Sequence, residues 1–393
     1  MNALASSPTP GRRRICAFSG KRGGYGAFVP LLRLIDRDPD LELLILLGDM
    51  HASAEFGSTA REVREDFPDA EIALIEMGAG RGDTGLVRAE NLANCLAESA
   101  RVLAGRGPDI VLVHGDRGEH LMVAFAALNL GLTVAHTQGG DRSGNIDELQ
   151  RHAISKLAHV HFPETEAAAE RLRRMGEDPW RIHTVGSTYV DRIAAGLYVP
   201  PADARVRVGL APDEPFLLAV VHPETFLDRE DNRRQAEAVF DALAQTGLRT
   251  VVTYPCSDPG YESVLEALSS RRGDPDFLIS QNIHNDVYLG LLAGADALVG
   301  NSSAALVEAP YFRLPAVNVG RRQEGRERDP NVLDAAPNRE AVAAAIRRVR
   351  TPGFRGSLNG GGRLGDGRAS ERIVAVLRAL PLDDRLARKQ IVF

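Results

Sequence analysis

Residues 111–162, VLVHGDRGEHLMVAFAALNLGLTVAHTQGGDRSGNIDELQRHAISKLAHVHF, decide how this chain is read. The apolar run Ile110 to Val113 suits a parallel strand buried on both faces. It delivers His114-Gly115-Asp116-Arg117 to a strand end, ahead of a helical pattern from His120 to Leu130. A second short strand, Leu132 to His136, crosses Gly139-Gly140 and enters a helix whose start is marked by Asn145, Asp147 and Glu148. Asn145 and Glu148 have the spacing of a relaxed capping box. Open α/β sheets bind ligands beyond the carboxyl ends of their strands. The ionisable groups gathered at these two junctions (His114, Asp116, Arg117, His136, Asp141, Asp147, His152) therefore mark a candidate site. Each carboxylate has two readings. Asp116 either caps the next helix or works as an acid or base. Asp147 falls in a first helical turn, where the macrodipole favours a carboxylate and free amides hold anions, so it is either an ordinary first-turn acid or a catalytic one. Spacing at i, i+4 lets it pair with Arg151, and His152 lies near the same face.

The alternation continues outward. Arg14 to Ser19 makes a strand ending in the turn Gly20-Lys21-Arg22-Gly23-Gly24-Tyr25-Gly26, whose spacing is neither the dinucleotide fingerprint nor a P-loop. Glu42 to Leu47 leads to Gly48-Asp49-Met50-His51, where His51 is a cleft residue or simply a loop histidine, and Phe56 to Thr59 forms the loop beyond. Residues 88–105 form an amphipathic helix, Val160 to Phe162 and Ile182 to Val185 are further strands, and Gly186-Ser187-Thr188 opens a helix ending near Gly196. The run Leu197 to Pro215, with Pro200, Pro201, Pro212 and Pro215, breaks both periodicities and reads as a linker. Beyond it the pattern restarts. Phe216 to Val221 ends at His222, Thr250 to Tyr254 at Pro255-Cys256-Ser257-Asp258, and Ala297 to Val299 at Gly300-Asn301-Ser302-Ser303. Ser302 and Ser303 precede a helix from Ala304 to Ala309, so they either cap it or offer hydroxyls and amides to a diphosphate, with Glu308 placed to reach a ribose diol. Pro315 to Asn318 is another strand. The loop 320–328, which includes Arg321 and Arg326, either binds phosphate oxygens or is a solvated surface. Helices at 336–350 and 369–380 complete the chain. The expected organisation is an α/β protein of two doubly wound parallel sheets: residues 1–196 after a disordered lead-in 1–13, a linker 197–215, a second domain 216–380 and a tail 381–393.

With 393 residues the chain is long enough for two cores of ordinary size. The net charge of −6 and the scattering of the arginines argue against a nucleic-acid partner. Cys16, Cys95 and Cys256 are too few and too far apart for a disulfide framework or a CxxC metal site, which suits a reducing cytoplasm. No apolar run has the length of a transmembrane helix, and MNALASSPTPGRRR lacks a signal peptide's apolar core.

Six motifs now stand together: HGDR at 114–117, GGD-x-SG-x-ID at 139–147, RHAI-x-KLAH at 151–159, GNSS at 300–303 with Glu308, GRRQEGRER at 320–328, and LGDGRASERI at 364–373. In this order and spacing, from about residue 14 to 378, the chain resembles the hydrolysing UDP-N-acetylglucosamine 2-epimerases, which supply N-acetylmannosamine for sialic acid synthesis. The resemblance implies a GT-B fold of two Rossmann-like domains with a cleft between them, the nucleotide held mainly by the second domain, and neither metal nor nicotinamide cofactor. It implies elimination of UDP across C1 and C2 to a 2-acetamidoglucal, then addition of water. By motif match Asp116 and Asp147 are the acid/base candidates, His222 the donor near the diphosphate, Arg117 and His152 the cleft supports, and Ser302, Ser303 and Glu308 the nucleotide holders. Arg22, His51, Gln138, Arg321 and Arg326 are expected to contact the substrate as well. A cytoplasmic homodimer or homotetramer, with no membrane partner, goes with this reading.

Three departures bear on the sugar. The usual Arg-Ala-Asp/Glu-Tyr-Gly loop is Arg22-Gly23-Gly24-Tyr25-Gly26, a usual Glu is Gln138, which cannot titrate, and a usual Pro-Asn is Pro255-Cys256. They make a diacetamido, bacillosamine-type UDP- or GDP-sugar the alternative substrate. A GT-B glycosyltransferase and a non-catalytic nucleotide-sugar binder are the alternatives of other classes.

Overall fold

The computed structural model describes residues 11–20, 22–52, 59–78 and 84–392, with Arg22 described in its backbone only. The lead-in up to residue 10 and the loop residues Phe56, Gly57 and Ser58 lie outside the described residues. The first sheet contains β1 (Arg13–Ser19), β2 (Leu41–Leu47), β3 (Glu71–Leu74), β4 (Ile110–His114), β5 (Thr133–Thr137) and β6 (Val160–Phe162). The second contains β7 (Phe216–Val220), β8 (Arg249–Thr253), β9 (Phe277–Ser280), β10 (Ala297–Gly300), β11 (Ala316–Val319) and β12 (Val332–Ala335). Their orders, β3-β2-β1-β4-β5-β6 and β12-β11-β10-β7-β8-β9, are one winding used twice, and every pairing is parallel. In each sheet the chain steps outward from a central strand and then returns to its other side. This reversal opens a crevice at β1/β4 and at β7/β10.

The central strands are buried on both faces, as their unbroken Val/Ile/Leu runs require. β3, β9 and β12 are four-residue strands, mostly half-buried, whose apolar runs are three residues at most. Ile182 to Val185, expected as a strand, makes only one bridge, from Ile182 to His161.

The expected domain bounds need two changes. Pro200 and Pro201 start a helix, Pro201–Arg207, because proline fits the first helical turn, and Ala204 and Leu210 pack with Phe216 and Leu218 in the second core. Residues 201–210 thus belong to the second sheet instead of to a linker. The last long helix, Ala369–Ala379, returns to the first: Ile373, Val374 and Leu377 share a core with Ile15, Phe28 and Leu112, and Leu386 of the tail joins them. Lys389 Nζ donates to the carbonyls of Ser155, Lys156 and Ala158 at 3.0, 3.0 and 2.7 Å.

Candidate active site

The loops at the carboxyl ends of the two sheets face each other across a cleft of about 1160 Å³. Polar contacts bridge it. Asn145 Oδ1 accepts from the Thr225 amide at 3.0 Å, the Gly144 amide donates to Arg322 O at 3.1 Å, and Asn282 Nδ2 donates to Glu62 Oε1 at 2.7 Å. A smaller compartment of about 500 Å³, lined by Asp116, Gln138, Asn145, Glu164 and Gln323 among others, adjoins the cleft; Asp147, Tyr189, Ser303 and Arg322 line both.

On the second-domain side, the turn after β10 sets the geometry. Gly300 has φ +137°, and a Cβ there would stand 2.0 Å from Val220 O. Only glycine lets β10 pass this close to β7. Asn301 then clamps the neighbouring loop, its Oδ1 accepting from the His222 amide at 2.7 Å and its Nδ2 donating to His222 O at 2.8 Å. His222 Nδ1 accepts from the Cys256 amide at 3.0 Å, so in the neutral ring the proton sits on Nε2. Ser302, Ser303 and Glu308 line the cleft beside His222. The helix expected from Ala304 to Ala309 spans Ala304–Val307, with a 3-10 turn from Ala309, and Glu308 stands between them.

On the first-domain side, Asp116 and Asp147 are both 8% exposed. Arg151, fully buried, pairs with Asp116 and also donates to Gln138 O at 3.0 Å. The pairing of Arg151 with Asp147 suggested by helix spacing is replaced by this inward one. Burial, then the nearby charges of Asp116 and Asp258, push the Asp147 carboxyl up to about 7, against the pull of Arg322 and Arg117. Glu164 is likewise raised to about 7, by burial and Asp141, while hydrogen bonds from Ser187 and Gln138 oppose the rise. Arg117 sits at the centre of an ion network: it meets Asp49 at 2.9 Å, Glu119 at 2.7 Å and, across the cleft, Asp258 at 3.1 Å and Ser257 Oγ at 2.8 Å. Arg117 and Arg88 hold Glu119 down to about 2 in spite of its burial.

Three expected contacts fall elsewhere, and a fourth, Arg326, lies on one side of the site. His51 is wholly buried, with Nε2 bonded to Ser19 Oγ at 2.9 Å and Nδ1 to Thr59 Oγ1 at 2.8 Å; burial lowers it to about 3 and it is a structural histidine. His152 pairs with Glu148 at 3.3 Å and lines neither compartment. Arg321 is 79% exposed and pairs with Glu324; its neighbour Arg322 is the one that lines both compartments. Arg326 reaches the smaller compartment only. The side chain of Arg22 lies outside the described residues. The residues that sequence reasoning did not single out are Arg151, Glu164, Asp258 and Arg322. Each owes its place to a contact distant in sequence, although Arg151 and Arg322 stood in quoted motifs and Asp258 closed a quoted strand-end run.

The family described as UDP-N-acetylglucosamine 2-epimerase matches residues 33–378. A Legionella pneumophila protein named UDP-N,N'-diacetylbacillosamine 2-epimerase (hydrolyzing) is 33% identical over 378 residues, covering 96% of this chain and 98% of its own. A Neisseria meningitidis UDP-N-acetylglucosamine 2-epimerase is 32% identical over 343 residues, 86% of this chain and 87% of its own. Among solved structures, S. aureus MnaA with UDP superposes with a TM-score of 0.76 at 20% identity, covering 97% of this chain and all (100%) of that one. The Methanocaldococcus jannaschii enzyme with UDP-GlcNAc and UDP gives 0.76 at 21% identity, with 93% and 99% covered. These last two establish likeness of fold, the two-domain GT-B arrangement. The match over residues 33–378 and the full-length relatives together establish that the chain belongs to the UDP-N-acetylglucosamine 2-epimerase family.

Proposed function

We propose that the protein is a hydrolysing 2-epimerase of a UDP-2-acetamido sugar, turning UDP-N-acetylglucosamine into N-acetylmannosamine and UDP as a cytoplasmic homo-oligomer. The observation that supports it best is the pair of carboxyl groups in unlike settings. Asp116 is paired with Arg151, and Asp147 is held near 7, in a compartment opening toward the Ser302-Ser303 turn. Inversion at C2 needs one group to remove a proton from one face and another to return one to the opposite face. Neighbouring carboxyls held in unlike surroundings are suited to that division. In this reading Asp116 takes the C2 proton as the C1–O bond to the diphosphate breaks. His222 Nε2–H donates to the departing oxygen, and Ser302, Ser303 and nearby backbone amides hold the diphosphate. Asp147 then protonates C2 of the glycal as water adds at C1 and gives up its spare proton to solvent, and exchange with solvent returns Asp116 to the carboxylate and Asp147 to the acid.

The test is proton NMR in deuterated water with UDP-N-acetylglucosamine, run beside the UDP-sugar bearing a second acetamido group. Release of UDP with N-acetylmannosamine deuterated at C2 is expected. Turnover of the diacetamido sugar alone would keep the reaction and move the substrate, a second reading favoured by Gln138 and by the Legionella relative. If neither sugar changes while UDP binds, the reaction is wrong, and transfer to an acceptor or binding alone becomes the reading to pursue. Asp116→Asn should cost roughly 10²–10⁴ in kcat with UDP affinity nearly unchanged, because a proton-transfer group acts in the transition state. Retained turnover would remove Asp116 from the mechanism.

A further inference from the structure

The sequence pattern groups His136 with the site, yet it lines neither compartment and is wholly buried on β5, paired with Val113 of β4. Val134 and Ala135 before it are ordinary core residues, and an apolar side chain would fill this place without a polar group to satisfy. An imidazole taken out of water is costly unless its nitrogens find partners.

Both nitrogens do. Nε2 lies 2.8 Å from Gly115 O, which can only accept, so Nε2 carries the ring proton. Burial keeps the ring neutral, lowering it to about 3 although the Gly115 bond opposes the shift. Nδ1 is therefore an acceptor. Ser155 Oγ stands 3.3 Å from it and 3.1 Å from Arg151 O, one hydroxyl proton serving both. Gly139 closes a third side, where a Cβ would stand 3.1 Å from Nδ1 and 3.0 Å from Ser155 Oγ.

These contacts converge on one carboxylate. Gly115 has φ +122°, a conformation that favours glycine, and its carbonyl belongs to the peptide that enters Asp116. Rotation of that peptide would turn the Asp116 side chain with it. Ser155 follows Arg151 by one turn on the helix Asp147–Leu157, and Arg151 pairs with Asp116. One ring thus grips both the peptide that carries Asp116 and the helix whose arginine holds its carboxylate. Proton transfer depends on such placement, since a shift of about 1 Å caused by a remote change can cost about a hundredfold in rate.

We propose that His136 is a positioning residue for proton removal at C2, fixing the Asp116 carboxylate by tying the Gly115 carbonyl to the Ser155 turn. It acts through Asp116 and does not touch the substrate. The proposal rests on the reading of Asp116 as the base at C2.

The experiment uses His136→Leu, which removes both bonds, and His136→Gln, whose amide N–H falls near the place of Nε2. Each is measured for kcat with whichever of the two sugars turns over and for UDP affinity by calorimetry, and His136→Leu is also combined with Asp116→Asn. His136→Leu should lower kcat about tenfold to a hundredfold and leave UDP affinity within about twofold, while His136→Gln recovers most of the loss. Beside Asp116→Asn, His136→Leu should cost less than about twofold more, because both changes act on one step. A role in packing alone predicts equal losses in the Leu and Gln variants, UDP affinity falling with kcat, and the full loss persisting beside Asp116→Asn. Any of these results, or a kcat in His136→Leu close to that of the native protein, would overturn the proposal. Should His136→Leu fail to fold, His136→Asn, whose shorter amide stops short of Gly115 O, takes its place. If neither sugar turns over, the reading of the reaction fails, and crystal structures of the variants judge the hold on Asp116. An Asp116–Arg151 pair kept in the Gln variant and broken in the Leu variant supports it, and a pair unchanged in the Leu variant ends it.

Discussion

At the scale of single residues, Asp147 carries the sharpest expectations. Its carboxyl is raised from 3.8 to about 7, so the folded protein holds a proton there that the unfolded chain has lost. The stabilisation from that proton is complete below the unfolded value and is lost as pH rises through about 7. Asp147→Asn has no such proton to lose. Thermal melts should show the variant gaining on the native protein from about pH 4 upward, with the full advantage above pH 7; parallel melting curves at all pH values would contradict the assignment. The same variant should still release UDP in the NMR experiment while the glycal accumulates, and the native rate of sugar formation should fall as pH rises through about 7. Asp116 was legible because an apolar run followed by Gly-Asp places a carboxylate at a strand end, and Asp147 because a polar turn before a helical pattern places one in a first helical turn; the expected cap does not form there, since Ile146 is the N-cap and Asn145 bonds Thr225 instead. Arg151 was misread because helix spacing reports neighbours on one helix only, whereas its guanidinium turns inward to Asp116 on another strand's loop. His51 allowed two readings, and Ser19 and Thr59, which decide between them, lie on separate elements.

At the scale of elements, the turn after β10 concentrates the nucleotide-side chemistry. Gly300→Ala places a methyl 2.0 Å from Val220 O in a backbone conformation that side chains rarely adopt. The cost should be at least about 2 kcal/mol, read as a lowered melting temperature, with UDP affinity falling as Asn301 and its hold on His222 shift. An unchanged melting curve would mean that β7 and β10 separate readily. Replacing both Ser302 and Ser303 by Ala should weaken UDP roughly ten- to a hundredfold by calorimetry, if each hydroxyl bonds a charged oxygen. Unaltered affinity would move the diphosphate elsewhere. The Gly-Asn-Ser-Ser turn was readable from its neighbours because the run before it marks a central strand. The edge strands β3, β9 and β12 were not, since a half-buried strand of four residues offers at most three consecutive apolar residues and no clean alternation.

At the scale of the molecule, repeated alternation of strand and helix was enough to read two doubly wound sheets, while the borders between them were not readable. Proline-rich spacing suggests a linker, yet Pro200 and Pro201 start a helix that packs on the second sheet, and no local signal announces that the helix Ala369–Ala379 crosses back to the first. Deleting residues 369–393 should expose Ile15, Phe28 and Leu112, giving insoluble protein or a broadened, early melt. A truncated protein that melted like the full chain would show the helix to be an accessory. The returning helix also orders events during synthesis. The strands around β7 and β10 find their buried packing partners between residues 204 and 349, so that half can fold while translation continues. The half that emerges first must wait for residues 373–386, and it passes that interval with part of its core uncovered.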